Sequence, residues 1–194
     1  MTPRVLKERA DFAAVAKTLD PAKLIFLDES GSHMAMTPAY ARSPEGERVA
    51  DITPRNRGTV TTMIGALGLM GLLGVMTIEG GTDAAVFEAF VSNILVPKLK
   101  AGDVVVLDNV GAHKPDGIRK LVEAAGAKLL FLPPYSPDLN PIEECWSKFK
   151  LYLKRLGART RKALDFAIAE TMELITPADA AGWFRHAGYA AQSV

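Results

Sequence analysis

This chain is poorly equipped for disulfide, zinc or membrane chemistry. Its single cysteine, Cys145, cannot form an internal disulfide and fits a reducing compartment. Its three histidines and one cysteine show no spacing that would hold zinc. The most apolar run, Met63 to Met76, falls short of the ~18 residues a membrane span requires. That run also carries four glycines, which suits two tight strands and a turn. The first twenty residues contain acids and no long apolar block, so they do not read as a signal peptide. Neither sign of charge is in excess: the formal net charge is +1, so the overall balance singles out no partner. Internal repeats and low-complexity segments are missing too. No glycine-rich loop follows "LIFLDES", which ranks a phosphohydrolase of small substrates last among the enzyme readings. A soluble, cytoplasmic protein without a membrane segment is expected, and 194 residues suffice for one domain with a sizeable core.

What is present is a strand and helix order. Residues 5–19 predict a short helix on an imperfect apolar stripe of Val5, Ala10, Phe12, Val15 and Leu19. "AKLIFLDES" predicts a buried strand after Pro21. "SHMAMTPAYARSPEGE" has strand-like pieces broken by Pro38 and Pro44 and stays ambiguous. "GTVTTMIGALGL" and "GVMTIEG" predict two strands around a turn near Gly71. A helix capped by Asp83 follows, with Val86, Phe87, Phe90, Val91, Ile94 and Leu95 on one side. Then come the strand "GDVVVLDN", a helix over 115–125 ended by Gly126, the strand "AKLLFL", and a helix from Pro141. Two further helices follow Thr160, the second opened by Pro177. The early strands ask for an antiparallel meander and the later alternation for parallel pairing. A mixed sheet flanked by helices, an α/β fold, satisfies both.

Two of these strands finish in aspartates, Asp28 and Asp108. In open α/β sheets functional groups collect where parallel strands end, and a carboxylate after a buried run needs a partner such as a metal ion. Strand parity does not choose between Asp28 and Glu29, since both faces are apolar further back. Position favours Asp28, the first acid after the run. The third acid comes from "LPPYSPDLNPIEECW". With Asn140 as N-cap and Pro141 as first helical residue, Ile142, Trp146, Phe149, Leu153 and Leu156 form a core-facing stripe, in which Trp146 serves packing. On an ideal helix Glu143 lies about 110° from the centre of that stripe and Glu144 about 150°. Glu144 is therefore expected in solvent, Glu143 at the site, and Asp138 in a turn-capping bond within "SPDLNP". An all-oxygen set of this kind suits Mg²⁺ or Mn²⁺ and phosphodiester chemistry.

Asp28, "VVLDNVGAHK" and "LPPYSPDLNPIEECW" together resemble the catalytic domain of DDE transposases, most closely bacterial insertion-sequence members related to the mariner superfamily (the six-thirty group). Asp108 and Glu143 have 34 residues between them, positions 109 to 142, the spacing typical of the glutamate-bearing branch. The resemblance spans about residues 20–190. It implies a ribonuclease H-like fold with a five-stranded mixed sheet over 21–194, preceded by a helical lead-in over 1–20. It also implies that Asp28, Asp108 and Glu143 bind two Mg²⁺ (or Mn²⁺) ions and act in hydrolysis at transposon ends and in strand transfer to target DNA. DNA is then the partner, and a homodimer is compatible with that chemistry. His113 and Lys114 match the family's "DN…AHK" pattern. His113 either satisfies loop backbone groups or lies beside the site near phosphate; Asn109 either orients Asp108 or forms a turn. Relatives carry helix-turn-helix modules before this domain, and the roughly twenty residues ahead of the first strand are too few for one.

A local charge asymmetry fits a DNA partner. From Cys145 to Leu164 there is no acid, while Lys148, Lys150, Lys154, Arg155, Arg159, Arg161 and Lys162 supply positive charge. Lys150 and Lys154 share the side of Glu143, where a phosphate backbone could be led toward the acids; Lys148 and Arg155 are further DNA-binding candidates. Arg48, Arg55 and Arg57 form a looser second group. The competing reading is a decayed remnant that binds DNA weakly or pairs with a full-length transposase.

Overall fold

The computed structural model describes residues 2–50, 52–108 and 115–189. Its centre is one five-stranded sheet in the order β3-β2-β1-β4-β5. β1 (Leu24–Ser32), β2 (Thr61–Gly68) and β3 (Gly71–Glu79) form the antiparallel meander expected from their closely spaced runs. β4 (Val104–Leu107) and β5 (Lys128–Phe131) extend the sheet in parallel on the other side of β1. β1 is thus central, which is why its residues 24 to 27 are buried on both faces. The ambiguous stretch after β1 has no strand among its described residues, because its prolines remove ladder donors.

Helices cover both faces: α1 (Pro3–Ala16), α2 (Ala84–Phe90), α3 (Pro115–Ala124), α4 (Pro141–Leu156), α5 (Arg161–Glu173) and α6 (Pro177–His186). Asp83 caps α2 through its side chain, 2.9 Å from the Val86 amide. The expected continuous helix is not regular, however. It passes into a π-helical stretch over Val91–Leu95 and a 3-10 turn over Val96–Lys98. Pro97 explains this, since proline lacks the donor and crowds the carbonyl four residues back.

Alternate residues of the strands feed two separate cores. Leu24, Phe26, Val104 and Val106 pack with Ile142, Trp146, Phe149 and Leu153 of α4 and with residues of α5 and α6. Ile25, Leu27, Val105 and Leu107 pack with Phe87 and Phe90 of α2 and Ile118 and Val122 of α3. The α4 stripe ends at Leu153. Leu156, expected to continue it, is 43 % exposed, because Gly157 already terminates the helix in a left-handed conformation (φ 59°).

One close approach seats α4 on the sheet. Trp146 is 2 % exposed, and its ring lies against Gly65, where an added Cβ would stand 2.6 Å from the indole. Gly65 pairs with Asp28 across the β1–β2 ladder. The indole therefore rests beside Asp28, three residues after Glu143. Gly65→Ala is expected to lower stability by about 1–3 kcal/mol, because overpacking forces the helix outward. Gly81→Ala, where a Cβ meets nothing within 4 Å, serves as the control. Equal thermal midpoints for the two variants would refute the seating role.

Candidate functional site

The two cores decide the parity that the strand pattern leaves open. Asp28 continues the face of Leu24 and Phe26, toward α4, whereas Glu29 continues the face of Ile25 and Leu27, toward α2 and α3. Asp108 follows β4 on the face of Val104 and Val106, again toward α4. The β1–β4 register pairs Leu27 with Leu107, so the next step sets the two aspartates side by side. Glu143 enters from the first turn of α4, its amide donating to the Asn140 carbonyl at 3.0 Å. Asp108 and Glu143 line one cleft together with Arg4, Asn140 and the residues Leu132 to Pro137. Burial pushes the Asp28 carboxyl up to about 7, and the charges of Glu143 and Asp108 push the same way, while a hydrogen bond from the Glu29 amide opposes them.

The loop that delivers Glu143 is braced from both ends of the chain. Arg9 of α1 donates to Ser136 Oγ (2.7 Å) and to Asp138 Oδ1 (2.9 Å) and Oδ2 (2.5 Å). Tyr189 Oη donates to the Leu139 carbonyl at 2.7 Å. Asp138 therefore does not serve chiefly as the local turn cap expected of it. Its main partner is Arg9, 129 residues away, whose guanidinium holds the carboxyl below its ordinary range. Asn140 occupies the N-cap position, but its side chain makes no capping bond. No local pattern reveals Arg9 or Tyr189 as braces, because their partners are remote in sequence.

Glu144 departs from expectation as well. It lies partly against α6: its side chain is 38 % exposed, Oε1 lies 3.5 Å from His186 Nε2, and Oε2 is buried. An isolated helical wheel cannot anticipate a helix that packs later on its outer side. Glu143, not Glu144, is the acid whose charge is felt at Asp28.

The basic residues divide into two sets. Lys148 is committed to Asp179 at 2.6 Å, and Asp179 completes the capping box of α6, its carboxyl held at about 2, first by Lys148. Arg159 donates to the carbonyls of Met34 and Met36, and Arg161 to Thr77 and Asp165. Arg155 lies over the Tyr152 ring. Lys150 and Lys154 instead line a groove with Arg55, Arg57 and His33. His33 is held below its ordinary range by burial and by Arg57 and Lys154, as expected where positive charge converges. The groove lies beyond the end of β1; Asp28 to Ser32 spans about 13 Å at ~3.3 Å per residue. Asn109, His113 and Lys114 lie outside the described residues.

Among the described residues no three His, Cys, Asp or Glu side chains are drawn tightly enough together to hold an ion as they stand. The donor set nonetheless fits a hard divalent cation. It is all oxygen, two members follow adjacent strands and the third sits in the first turn of α4, and burial together with the neighbouring charges raises the Asp28 carboxyl, which a cation would reverse.

A five-stranded mixed sheet in this order, with helices on both faces, is the ribonuclease H-like fold. The chain belongs to the DDE superfamily endonuclease family, which matches residues 23–165. Its fold is similar to the catalytic domain of Mos1 mariner transposase, with a TM-score of 0.70 at 13 % identity over 96 % of this chain and 88 % of that one. It is also similar to the transposase of a pre-cleavage Mos1 transpososome, with a TM-score of 0.74 at 13 % identity, covering 100 % of this chain and 65 % of that one. A Mos1 mariner paired end complex with Mn gives a TM-score of 0.71 at 14 % identity over 96 % of this chain and 59 % of the other. The chain thus spans less than two thirds, 59 to 65 %, of the longer transposase chains it resembles. No curated protein sequence matches it.

The raised Asp28 has a measurable consequence. The folded protein keeps that proton to about pH 7, whereas the unfolded chain releases it near 3.8. Between those values the folded state binds more protons, so this group's contribution to stability falls as pH rises. Asp28→Asn should remove that decline, seen as the difference in urea midpoints between pH 5 and pH 7.5 in metal-free buffer. Identical pH dependence in both proteins would contradict the assignment.

Proposed function

We propose that this chain is the catalytic part of a transposase, a divalent-metal-dependent nuclease and strand-transferase acting on DNA. The observation that carries the reading is that Asp28 feels the charges of Asp108 and Glu143 on the α4 side of the sheet, in a chain of the DDE endonuclease family. These three carboxylates would hold two Mg²⁺ or Mn²⁺ ions. When bound, such ions activate an attacking oxygen and steady the leaving oxygen of an in-line displacement at phosphorus. The chain's own residues supply the rest. The β1–β4 register supports neighbouring positions for Asp28 and Asp108, and the braced loop supports the aim of Glu143.

The groove of Lys150, Lys154, Arg55 and Arg57 supplies the site for a phosphate backbone. It replaces the broader basic run as the DNA-binding surface, because Lys148, Arg159 and Arg161 are occupied within the fold. The Mos1 neighbours include a transpososome and a paired end complex with Mn, which supports DNA, a divalent ion and a paired assembly for this chain. We place Asn109, His113 and Lys114 beside the acids only on the family pattern.

Purified protein with Mn²⁺ is expected to nick branched or nicked DNA. Asp108→Ala and Glu143→Ala should each lose on the order of a hundredfold or more in rate, while Glu144→Ala stays within a few-fold. Retained nicking in Glu143→Ala together with loss in Glu144→Ala would overturn the assignment, and no metal-dependent nicking by the wild type would favour the remnant reading. For the groove, Lys150→Gln and Lys154→Gln should each reduce the slope of log K against log salt by about 0.7 on single-stranded DNA. An unchanged slope removes these residues from the DNA path.

A further inference from the structure

His33 directly follows β1 and lines the groove with Arg55, Arg57, Lys150 and Lys154. One edge of its ring is already committed: the Ala35 amide donates to Nδ1 at 3.2 Å. Accepting that bond requires a lone pair on Nδ1, so the neutral ring carries its proton on Nε2. The opposite edge of the imidazole is therefore an N–H donor. The turn that holds the ring is pinned from remote parts of the chain. Arg159 donates to the carbonyls of Met34 (3.2 Å) and Met36 (3.1 Å), and Ser32 Oγ donates to the Thr61 carbonyl at 3.2 Å. The Met36 amide closes the turn on the His33 carbonyl at 3.3 Å. The donor is thus oriented before any ligand arrives.

The turn itself does not require histidine, since asparagine or aspartate accepts an amide two residues on in the same way. Imidazole adds a second polar edge, and cations surround it. They come from three segments: Arg55 and Arg57 ahead of β2, Lys150 and Lys154 on α4, and Arg159 after α4. Among the described residues no carboxylate lines the groove. Burial, then Arg57 and Lys154, hold the ring below its ordinary range and so keep it neutral. A phosphate oxygen would accept from Nε2 and offset the positive field that disfavours a second ring proton.

We propose that His33 is a phosphate-contacting residue of this groove, donating from Nε2 to a DNA backbone oxygen and taking up a proton from solvent as the strand enters. The inference rests on the groove being the DNA path, and its test separates the two. With DNA bound the ring holds its proton to higher pH than when free. Between those two values the complex binds more protons than its separate parts, so affinity falls as pH rises.

His33→Asn keeps an acceptor for the Ala35 amide and removes the outer donor, so its thermal midpoint should stay close to that of the wild type. Binding of a single-stranded oligonucleotide in metal-free buffer, followed by anisotropy, should be about 5- to 10-fold weaker for this variant at pH 5.5, the loss of one charge-assisted hydrogen bond. The slope of log K against log salt should be steeper at pH 5.5 than at pH 8 by up to about 0.7 in the wild type, and equal at both in His33→Asn. His33→Gln, which offers an uncharged N–H near the place of Nε2, should recover affinity at pH 8 but not the change in slope. In NMR spectra the His33 Cε1 proton should titrate at higher pH once DNA is added.

If Lys150→Gln and Lys154→Gln lower the salt slope while His33→Asn matches the wild type at every pH, the groove stands and the histidine contact is overturned. A His33 resonance that titrates identically with and without DNA overturns it as well. If neither the lysine nor the histidine variants change binding, both readings fall.

Discussion

The partial burial of Asp28 near two other carboxylates is the constraint on which the arrangement turns. Burial pushes the Asp28 carboxyl toward its neutral form, and the charges of Glu143 and Asp108 add to that push. Such a set stays together only if the scaffold over-determines each position. Two of the three are fixed by backbone alone, through the parallel register of β1 and β4. The third depends on side chains. Trp146 seats α4 on the bare backbone of Gly65, and Arg9 and Tyr189 hold the loop ahead of it. Truncating a buried tryptophan costs about 3–5 kcal/mol, which sets the scale of that seat.

The proline-rich loop gains a physical account from this. Prolines lower the entropy of the unfolded segment and preset the backbone for the 3-10 turn over Pro137–Leu139 and for the first turn of α4. Rigidity alone would not orient Glu143, however. The loop is also tied at Ser136, Asp138 and Leu139 to residues near both ends of the described chain.

Charge follows a similar division between structure and surface. A net charge of +1 conceals an acidic face beside a basic groove. Several cations that look free along the chain are spent inside the fold: Lys148 on the cap of α6, Arg159 on the backbone after β1, and Arg161 on β3 and α5. What remains is drawn from distant segments, Arg55 and Arg57 with Lys150 and Lys154. Identity near 13 % with a TM-score of 0.70 is consistent with this economy, since the fold needs burial patterns and registers more than particular residues.

The amino-acid order by itself determined the strand and helix succession, the mixed sheet, the position of the helix after Pro141 and the acids worth considering. All of these rest on local signals such as apolar periodicity, proline at a helix start and aspartate at a strand end. Tertiary structure alone decided which face of β1 carries Asp28, that Glu144 lies against α6, that Asp138 belongs to Arg9, and which cations line the groove. Each of those outcomes is a choice between partners far apart in the chain, and no local periodicity encodes such a choice.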